Sequence, residues 1–433
     1  MIKIFLHTLG CPKNIADSEI MLNQLQLNNF KISNSPQDAN VVIVNTCGFI
    51  NDAKEESLEY IFDMISLKQS GKLEKIYVTG CLSERYRSDL KKNIPEVDGF
   101  FGVYELEAVL KKLNGKSFSK ELYKHSLITP NHYAYVKISD GCNHRCSFCS
   151  IPSFKGKYKS KKISSIIKEM ENMPVTVKEI NLVAQDITYY GKDLYGKNSL
   201  AELLKKISKS RYKGWIRLLY AYPSRFPLEI LDIILENKNF CNYLDIPIQH
   251  ISDVVLKSMR RGITRKNTEL LIEKIRQRVP GISLRTSLIV GYPAETKKEF
   301  KELLSFVKEI KFDRLGVFTY SGEEGTQSFS LLDKISQKEK ENRKSIILEA
   351  QREISYEYNS KKVGKYFDVL IDEEDSEFYI ARSEFDAPDI DNLVWIKKQK
   401  NNKSNIGDLV NVKITGYSDF DLYAAISEPK RLS

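Results

Sequence analysis

Hydrophobic residues in the first 120 positions fall into short β-branched runs separated by amphipathic stretches. "IKIFLHT", "VVIVNT" and "KIYVTG" are apolar almost without a break, the pattern of parallel strands covered on both faces. Between them, Asp17–Asn28 and Asp52–Leu67 repeat apolar residues at helical spacing. That alternation predicts an open parallel α/β domain over residues 1–120. After a polar connector, "KELYKHSLITPNH", it resumes through "YAYVKIS", "EINLVAQ", "WIRLLYA", "YLDIPIQ", "SLRTSLIVG" and "RLGVFTY", with helical stretches such as 227–237 and 296–310 between. Six βα units predict a partial, open (βα)6 barrel over residues 130–356. A charged helix, 336–359, leads into a different rhythm. "YFDVLID", "EFYIARS", "NLVWIKK", "LVNVKITG" and "DLYAAIS" are strand-like pieces divided by Gly, Asp, Asn and Pro. They predict a small antiparallel β-barrel over residues 357–433, with "KKQKNNKSN" as an exposed loop.

A chain of 433 residues exceeds one ordinary core, which agrees with three units, and no internal repeat is visible. With 42% apolar and 29% charged residues the composition is that of a globular protein. No run of eighteen apolar residues occurs, so no membrane span is expected. The opening "MIKIFLHTLGC" is too short in apolar residues for an export signal, and a cytoplasmic location is expected. Thiols stay reduced there, so the seven cysteines are expected to be ligands or core residues.

The net charge of +10 points to an acidic partner such as RNA, but it is unevenly spread. From Glu357 onward 15 acidic residues face 11 basic ones, a net of −4 that leaves +14 for the rest. Asp368–Asp391 alone holds ten acidic residues and one basic residue, Arg382. Such a face repels phosphate and attracts a basic protein; the plainer reading is a solvated charge run.

The cysteines carry the chemistry. "CNHRCSFC" places Cys142, Cys146 and Cys149 on the loop leaving the first barrel strand, at the face where βα-barrel sites gather. Three thiolates on a four-iron cluster leave one iron open for a small molecule. The competing reading is a structural zinc site with His144 as fourth ligand. Cys11, Cys47 and Cys81 each follow a predicted parallel strand of the first domain. In an open α/β sheet those ends form one edge, so three cysteines distant in sequence converge. Cys241, alone in "NFCNY", reads as buried filler.

The C-x3-C-x2-C loop resembles that of the radical S-adenosylmethionine (SAM) superfamily. The whole chain, with its two cysteine triads and its terminal segment like a TRAM domain, resembles the methylthiotransferase family. That resemblance implies two 4Fe–4S clusters, one on Cys142, Cys146 and Cys149 and one on Cys11, Cys47 and Cys81. It implies SAM as cosubstrate, radical source and methyl donor, and insertion of sulfur at an unactivated carbon. Carried over with it, as contacts to the cosubstrate, are Gln185 and Asp186 of "VAQDITYYG", Gln249 of "IPIQH", and Arg217, Arg285 and Gly291.

Within the family, "LGCPKN", the barrel opening "YAYVKISDGCNHRCSFCSIPSFKGKY", Ser287 in "RTSLIVGYPAET" and "ARSEFDAPDIDN" are closer to enzymes that modify an aspartate β-carbon of small-subunit ribosomal protein S-twelve. Ala294 departs from the usual glycine of that loop. The implied partner is that basic protein, with a ribosomal RNA contact through "KGKYKSKK"; electron and sulfur donors are unspecified. Two alternatives stand beside this one: a tRNA adenosine methylthiotransferase, and a non-catalytic zinc-bound RNA-binding protein.

Overall fold

The computed structural model describes residues 2–399 and 403–427. Strands β1 (Lys3–Thr8), β2 (Lys31–Ile32), β3 (Val41–Thr46), β4 (Lys75–Gly80) and β5 (Gly99–Phe100) form a parallel sheet in the order β2-β1-β3-β4-β5. All six residues of β3 are buried. Val42 and Val44 pack on one face with Ile61, Met64 and Ile65 of the helix Asn51–Gln69. Val41 and Ile43 pack on the other with Met21 and Leu25 of the helix Pro12–Leu27. Two covered faces explain why the run carries no polar alternation.

The second sheet begins with β6 (Tyr133–Lys137), followed by a small hairpin, β7 (Ser139–Asp140) with β8 (Lys159–Ser160). It continues through β9 (Glu179–Val183), β10 (Trp215–Leu218), β11 (Phe240–Asp245), β12 (Ser283–Val290) and β13 (Arg314–Thr319). The six long strands stand in the order β13-β12-β11-β10-β9-β6, the open barrel the pattern predicts. Outward-facing Ala134, Val136, Ile180, Leu182, Ile216 and Leu218 join the helices in the main core. The alternate positions, Tyr133, Tyr135, Glu179, Arg217, Tyr243 and Arg285, form a separate layer rich in polar groups. The helix Gln337–Ser360, capped by Ser336, packs on β13 and on the helix Lys297–Ile310.

Strands β14 (Tyr366–Glu374), β15 (Phe378–Ser383), β16 (Val394–Lys397), β17 (Leu409–Tyr417) and β18 (Leu422–Ile426) close in the order β14-β15-β16-β18-β17. An all-antiparallel barrel is the expectation from sequence, yet β16 and β18 pair in parallel. A ring with an odd number of strands cannot alternate direction all the way round, so one parallel pair is required. Positions 400–402 of the lysine-rich loop lie outside the described residues.

The acidic tail needs a larger correction. The β15–β16 connection enters the amino-terminal end of the open barrel and seals it. Asp386 pairs with Arg314, Arg217 donates to the Glu384 carbonyl (2.7 Å) and Ser283 to that of Phe385 (3.1 Å). Tyr243 donates to Asp391 (2.6 Å), and Arg382 bridges Glu179 (2.8 Å) and Asp372 (2.6 Å). Two acids of the run, Asp386 and Asp391, therefore neutralise the barrel arginines Arg314 and Arg285, while Asp368, Glu373, Glu374, Asp375, Glu377 and Asp389 stay exposed, four of them clustered at the β14–β15 turn. Among the described residues no helix is long and apolar enough to cross a membrane.

Candidate active site between two thiol clusters

Cys11, Cys47 and Cys81 each stand one to three residues beyond β1, β3 and β4, and the parallel sheet carries all three to one edge. Glycines let their loops close on each other. A Cβ on Gly10 would lie 2.6 Å from the Cys47 Cβ, and one on Gly48 would lie 2.7 Å from the Leu82 backbone beside Cys81. Gly10 also holds φ +91°, which disfavours any side chain. Buried Asn14 ties the three loops: it donates to the carbonyls of Leu9 (2.9 Å) and Thr46 (3.2 Å), and its Oδ1 faces Cys81 Sγ at 3.8 Å.

Cys142, Cys146 and Cys149 occupy the loop between β7 and β8 at the carboxyl ends of the barrel strands. His144 stacks on Tyr222 (3.7 Å between centroids) and its Nε2 meets Asp186 at 2.7 Å. That ring nitrogen is committed to a carboxylate, which speaks against His144 as a zinc ligand. Tyr222 donates to the Arg261 carbonyl (2.6 Å) and lies 3.7 Å from Cys146 Sγ. Arg261 is buried, donates through Nη1 to Cys146 Sγ (3.5 Å), and leaves its Nε without a partner. Among the described residues it has no carboxylate within salt-bridge range, so the cysteine loop is where its charge must be matched.

Both triads suit a polyvalent metal group. Burial pushes the thiols of Cys81, Cys142 and Cys149 up to about 12 and raises that of Cys47, so the bare pockets favour the protonated form. A cationic iron–sulfur core supplies the charge that makes them thiolates. Among the described residues no three His, Cys, Asp or Glu side chains gather around one point as a single ion requires.

The first domain is docked over the barrel mouth. Glu323, beyond β13, accepts from Arg85 (2.9 Å) and Lys54 (3.0 Å), while Arg85 also donates to the Gly48 carbonyl (3.0 Å) next to Cys47. Lys137 joins Asp17 of the first domain to Asp140 (2.6 Å) just before the Cys142–Cys149 loop. Tyr104 donates to the Lys155 carbonyl (2.8 Å), and Lys155 lies close enough to favour the Cys81 thiolate. Lys13 and Tyr220 close the gap from either side, with Nζ 3.7 Å from the ring centroid.

The carried-over cosubstrate contacts divide. Gln185 donates to Asp140 (3.1 Å) and keeps its buried Oε1 free, and Gln249 sits beyond β11 at φ +73°. Strained non-glycine backbone of this kind accumulates at binding sites. Asp186 and Arg217 are different. Asp186 spends its carboxylate on His144, Thr188 and the Tyr222 amide, so it orients the cysteine loop. Arg217 is fully buried against Glu179 (2.7 Å) at the sealed end. Arg285 bridges Asp245 (3.0 Å) and Asp391 (3.3 Å). Gly291, at φ +76°, packs over Lys340 and donates to Glu295 (3.0 Å). His250 is likewise buried on Glu295 (3.1 Å), and Cys241 lies in the barrel's inner layer as filler. In "KGKYKSKK", Lys155 and Tyr158 are buried. Arg261, Tyr222 and Arg85 touch the cysteine loops in this geometry yet escape sequence reasoning, because nothing in their spacing sets them apart from surface or core residues, whereas Asn14 lies within the quoted "LGCPKN".

Residues 3–102 match the family described as Uncharacterized protein family UPF0004, residues 136–307 the radical SAM superfamily and residues 363–426 the TRAM domain. A ribosomal protein uS12 methylthiotransferase RimO of Cytophaga hutchinsonii is 48% identical over 433 residues, 98% of each chain. The protein of that name from Christiangramia forsetii is 46% identical, covering 99% of this chain and 96% of its own. The one from Chloroherpeton thalassium is 44% identical over 98% of both. Among solved structures, the radical SAM methyltransferase TsrM from Kitasatospora setae, with cobalamin and a [4Fe-4S] cluster bound, superposes with TM-score 0.53 at 15% identity over 73% of this chain and 74% of that one. OxsB, a cobalamin-dependent SAM radical enzyme, gives 0.51 at 13% identity over 81% and 56%. At these identities the likeness is one of fold.

Proposed function

The chain belongs to the ribosomal protein uS12 methylthiotransferase family, and from that premise we propose that it attaches a methylthio group to the β-carbon of an aspartate of uS12, the S-twelve protein. The observation that carries the reading is the approach of two thiol triads, carried by two sheets, across a polar seam bridged by Lys13 on Tyr220 and by Lys137 on Asp17. In it Cys142, Cys146 and Cys149 hold one 4Fe–4S cluster, and Cys11, Cys47 and Cys81 hold the other. The first, when bound, supplies the electron that cleaves SAM, and the second supplies sulfur. A saturated carbon has no usable acidity, so sulfur insertion needs hydrogen-atom removal.

The chain's own residues then have definite tasks. Arg261 and Tyr222 hold and polarise Cys146, and Asp186 with His144 fixes the loop around it. Gln185, through its free Oε1, and Gln249 are the residues that would contact the cosubstrate. Arg85 with Glu323 and Lys137 with Asp17 tie the first domain to the barrel beside the two triads and keep them in register. The working units are residues 1–120, 130–356 and 357–433. Lys157, Lys159 and Lys162 of "KGKYKSKK" are the residues through which the chain would touch ribosomal RNA.

The test separates the two triads. Alanine at Cys142, Cys146 or Cys149 should abolish 5′-deoxyadenosine formation. Alanine at Cys11, Cys47 and Cys81 should leave SAM cleavage while ending methylthio-aspartate formation, read by mass spectrometry of a uS12 peptide. Undiminished product from the second set, or wild-type product on a tRNA anticodon arm and none on uS12, refutes the proposal.

A further inference from the structure

Most charges around the gap between the triads have a carboxylate or cation partner; among the described residues Arg261 rests on Cys146 and Tyr222 instead, and Lys13 is a second cation without an acidic partner. Asp245 is paired with Arg285 (3.0 Å), and Asp140 with Lys137 (2.6 Å), which also takes Asp17. Lys155 stands 3.6 Å from Asp140 and 3.7 Å from Asp17. Lys13 has no acidic oxygen of the described residues within salt-bridge range, and its ammonium rests instead on the face of Tyr220, 3.7 Å from the centroid. A π-face orients an ammonium without neutralising it.

The surroundings are arranged to keep that charge available. Tyr220 holds φ +65°, an unusual conformation for a bulky residue, and its amide donates to Asp245 (3.1 Å). Lys13 is the second residue of a 16-residue helix, behind Cys11, whose side chain makes no cap. The positive end of the helix and the ammonium therefore point into one place. That place lies between Cys11 on one side and the carboxyl end of β10 on the other.

The proposed reaction defines what must occupy it. The reacting β-carbon has to be reached from both triads in turn, and the carboxyl group is its direct neighbour. An aspartate entering the gap thus carries a carboxylate out of water, at a steep cost unless a cation receives it. We propose that Lys13 is the residue that binds the carboxylate of the target aspartate, an inference that rests on the substrate reading above. It also assigns specificity: an asparagine at the target position offers the ammonium no charge.

The experiment uses the anaerobically prepared protein with both clusters, and two labelled synthetic peptides of the uS12 target loop, one with the aspartate and one with asparagine in its place. Binding is read by fluorescence anisotropy, and iron content reports whether each variant retains its clusters. Lys13→Gln should weaken binding of the aspartate peptide roughly 30-fold or more while leaving the weaker asparagine peptide unaffected. Lys13→Arg, which keeps the charge, should recover a large part of the loss and guards against a folding defect in the glutamine variant. Equal losses on both peptides, or unchanged binding of the aspartate peptide, overturn the assignment of Lys13 alone. A wild-type protein that binds neither peptide overturns both the assignment and the reading beneath it.

Discussion

His125, in the connector between the first two sheets, offers a sharp test of what holds the thiol triads face to face. Its Nδ1 lies 2.9 Å from Glu19 of the helix Pro12–Leu27, and its Nε2 lies 2.9 Å from Glu169 of the helix Ile163–Glu171. All three side chains are within 2% of full burial, and Lys161 completes the group at 2.8 Å from Glu169. Burial pulls the imidazole down, but the two glutamates more than offset it and raise it from 6.5 to about 9. At 1.36 kcal/mol per pH unit that rise corresponds to about 3 kcal/mol. Because the folded value is the higher one, this stabilisation is complete below pH 6.5 and lost as pH rises through about 9. Between pH 7.5 and 9.5 the loss should be about 2 kcal/mol. Urea unfolding of wild type and His125→Gln, in the same cluster state, isolates the effect from other groups that titrate there. The variant should start about 3–5 kcal/mol less stable, because two buried glutamates lose a shared cation, and should show a flatter dependence on pH. Parallel curves for the two proteins across that range would falsify the latch.

Four further outcomes follow from contacts described above. Gly10→Ala places a methyl 2.6 Å from the Cys47 Cβ and should lower iron content toward a single cluster while SAM cleavage persists, as iron analysis and a cleavage assay would show. Arg261→Met removes the donor to Cys146 and should move the midpoint potential of that cluster negative by about 59 mV or more, a tenfold change, in an EPR-monitored titration; an unmoved potential refutes the role. Arg382→Ala removes the cation shared by Glu179 and Asp372 in the barrel seal, leaving Arg217 alone on the first and His132 alone on the second, and should cost about 3 kcal/mol in denaturant unfolding. Lysines at Glu373, Glu374, Asp375 and Glu377 should slow association with uS12 and flatten its salt dependence, whereas the same change at the buried Asp386 should unfold the joint.

The sequence alone determined the three layers, because burial on both faces, on one face or around a small barrel each imposes its own hydrophobic period. It also determined that six cysteines gather in two triads, since strand ends in a parallel sheet share an edge and a local triplet needs no long-range information. What it could not decide is how charges find partners across hundreds of residues. Asp386 reads as a free acid until Arg314, 72 positions away, is seen beside it. Arg217 and Asp186 come from the family resemblance as cosubstrate contacts, yet the fold puts the first on Glu179 and the Glu384 carbonyl at the barrel seal and the second on His144. Lys13 and Tyr220, 207 residues apart in number, meet only because the first sheet is laid over the barrel mouth. Hydrophobic periodicity is a local consequence of geometry along the chain. Electrostatic pairing depends on which surfaces are brought together and dried, and only the tertiary fold settles that.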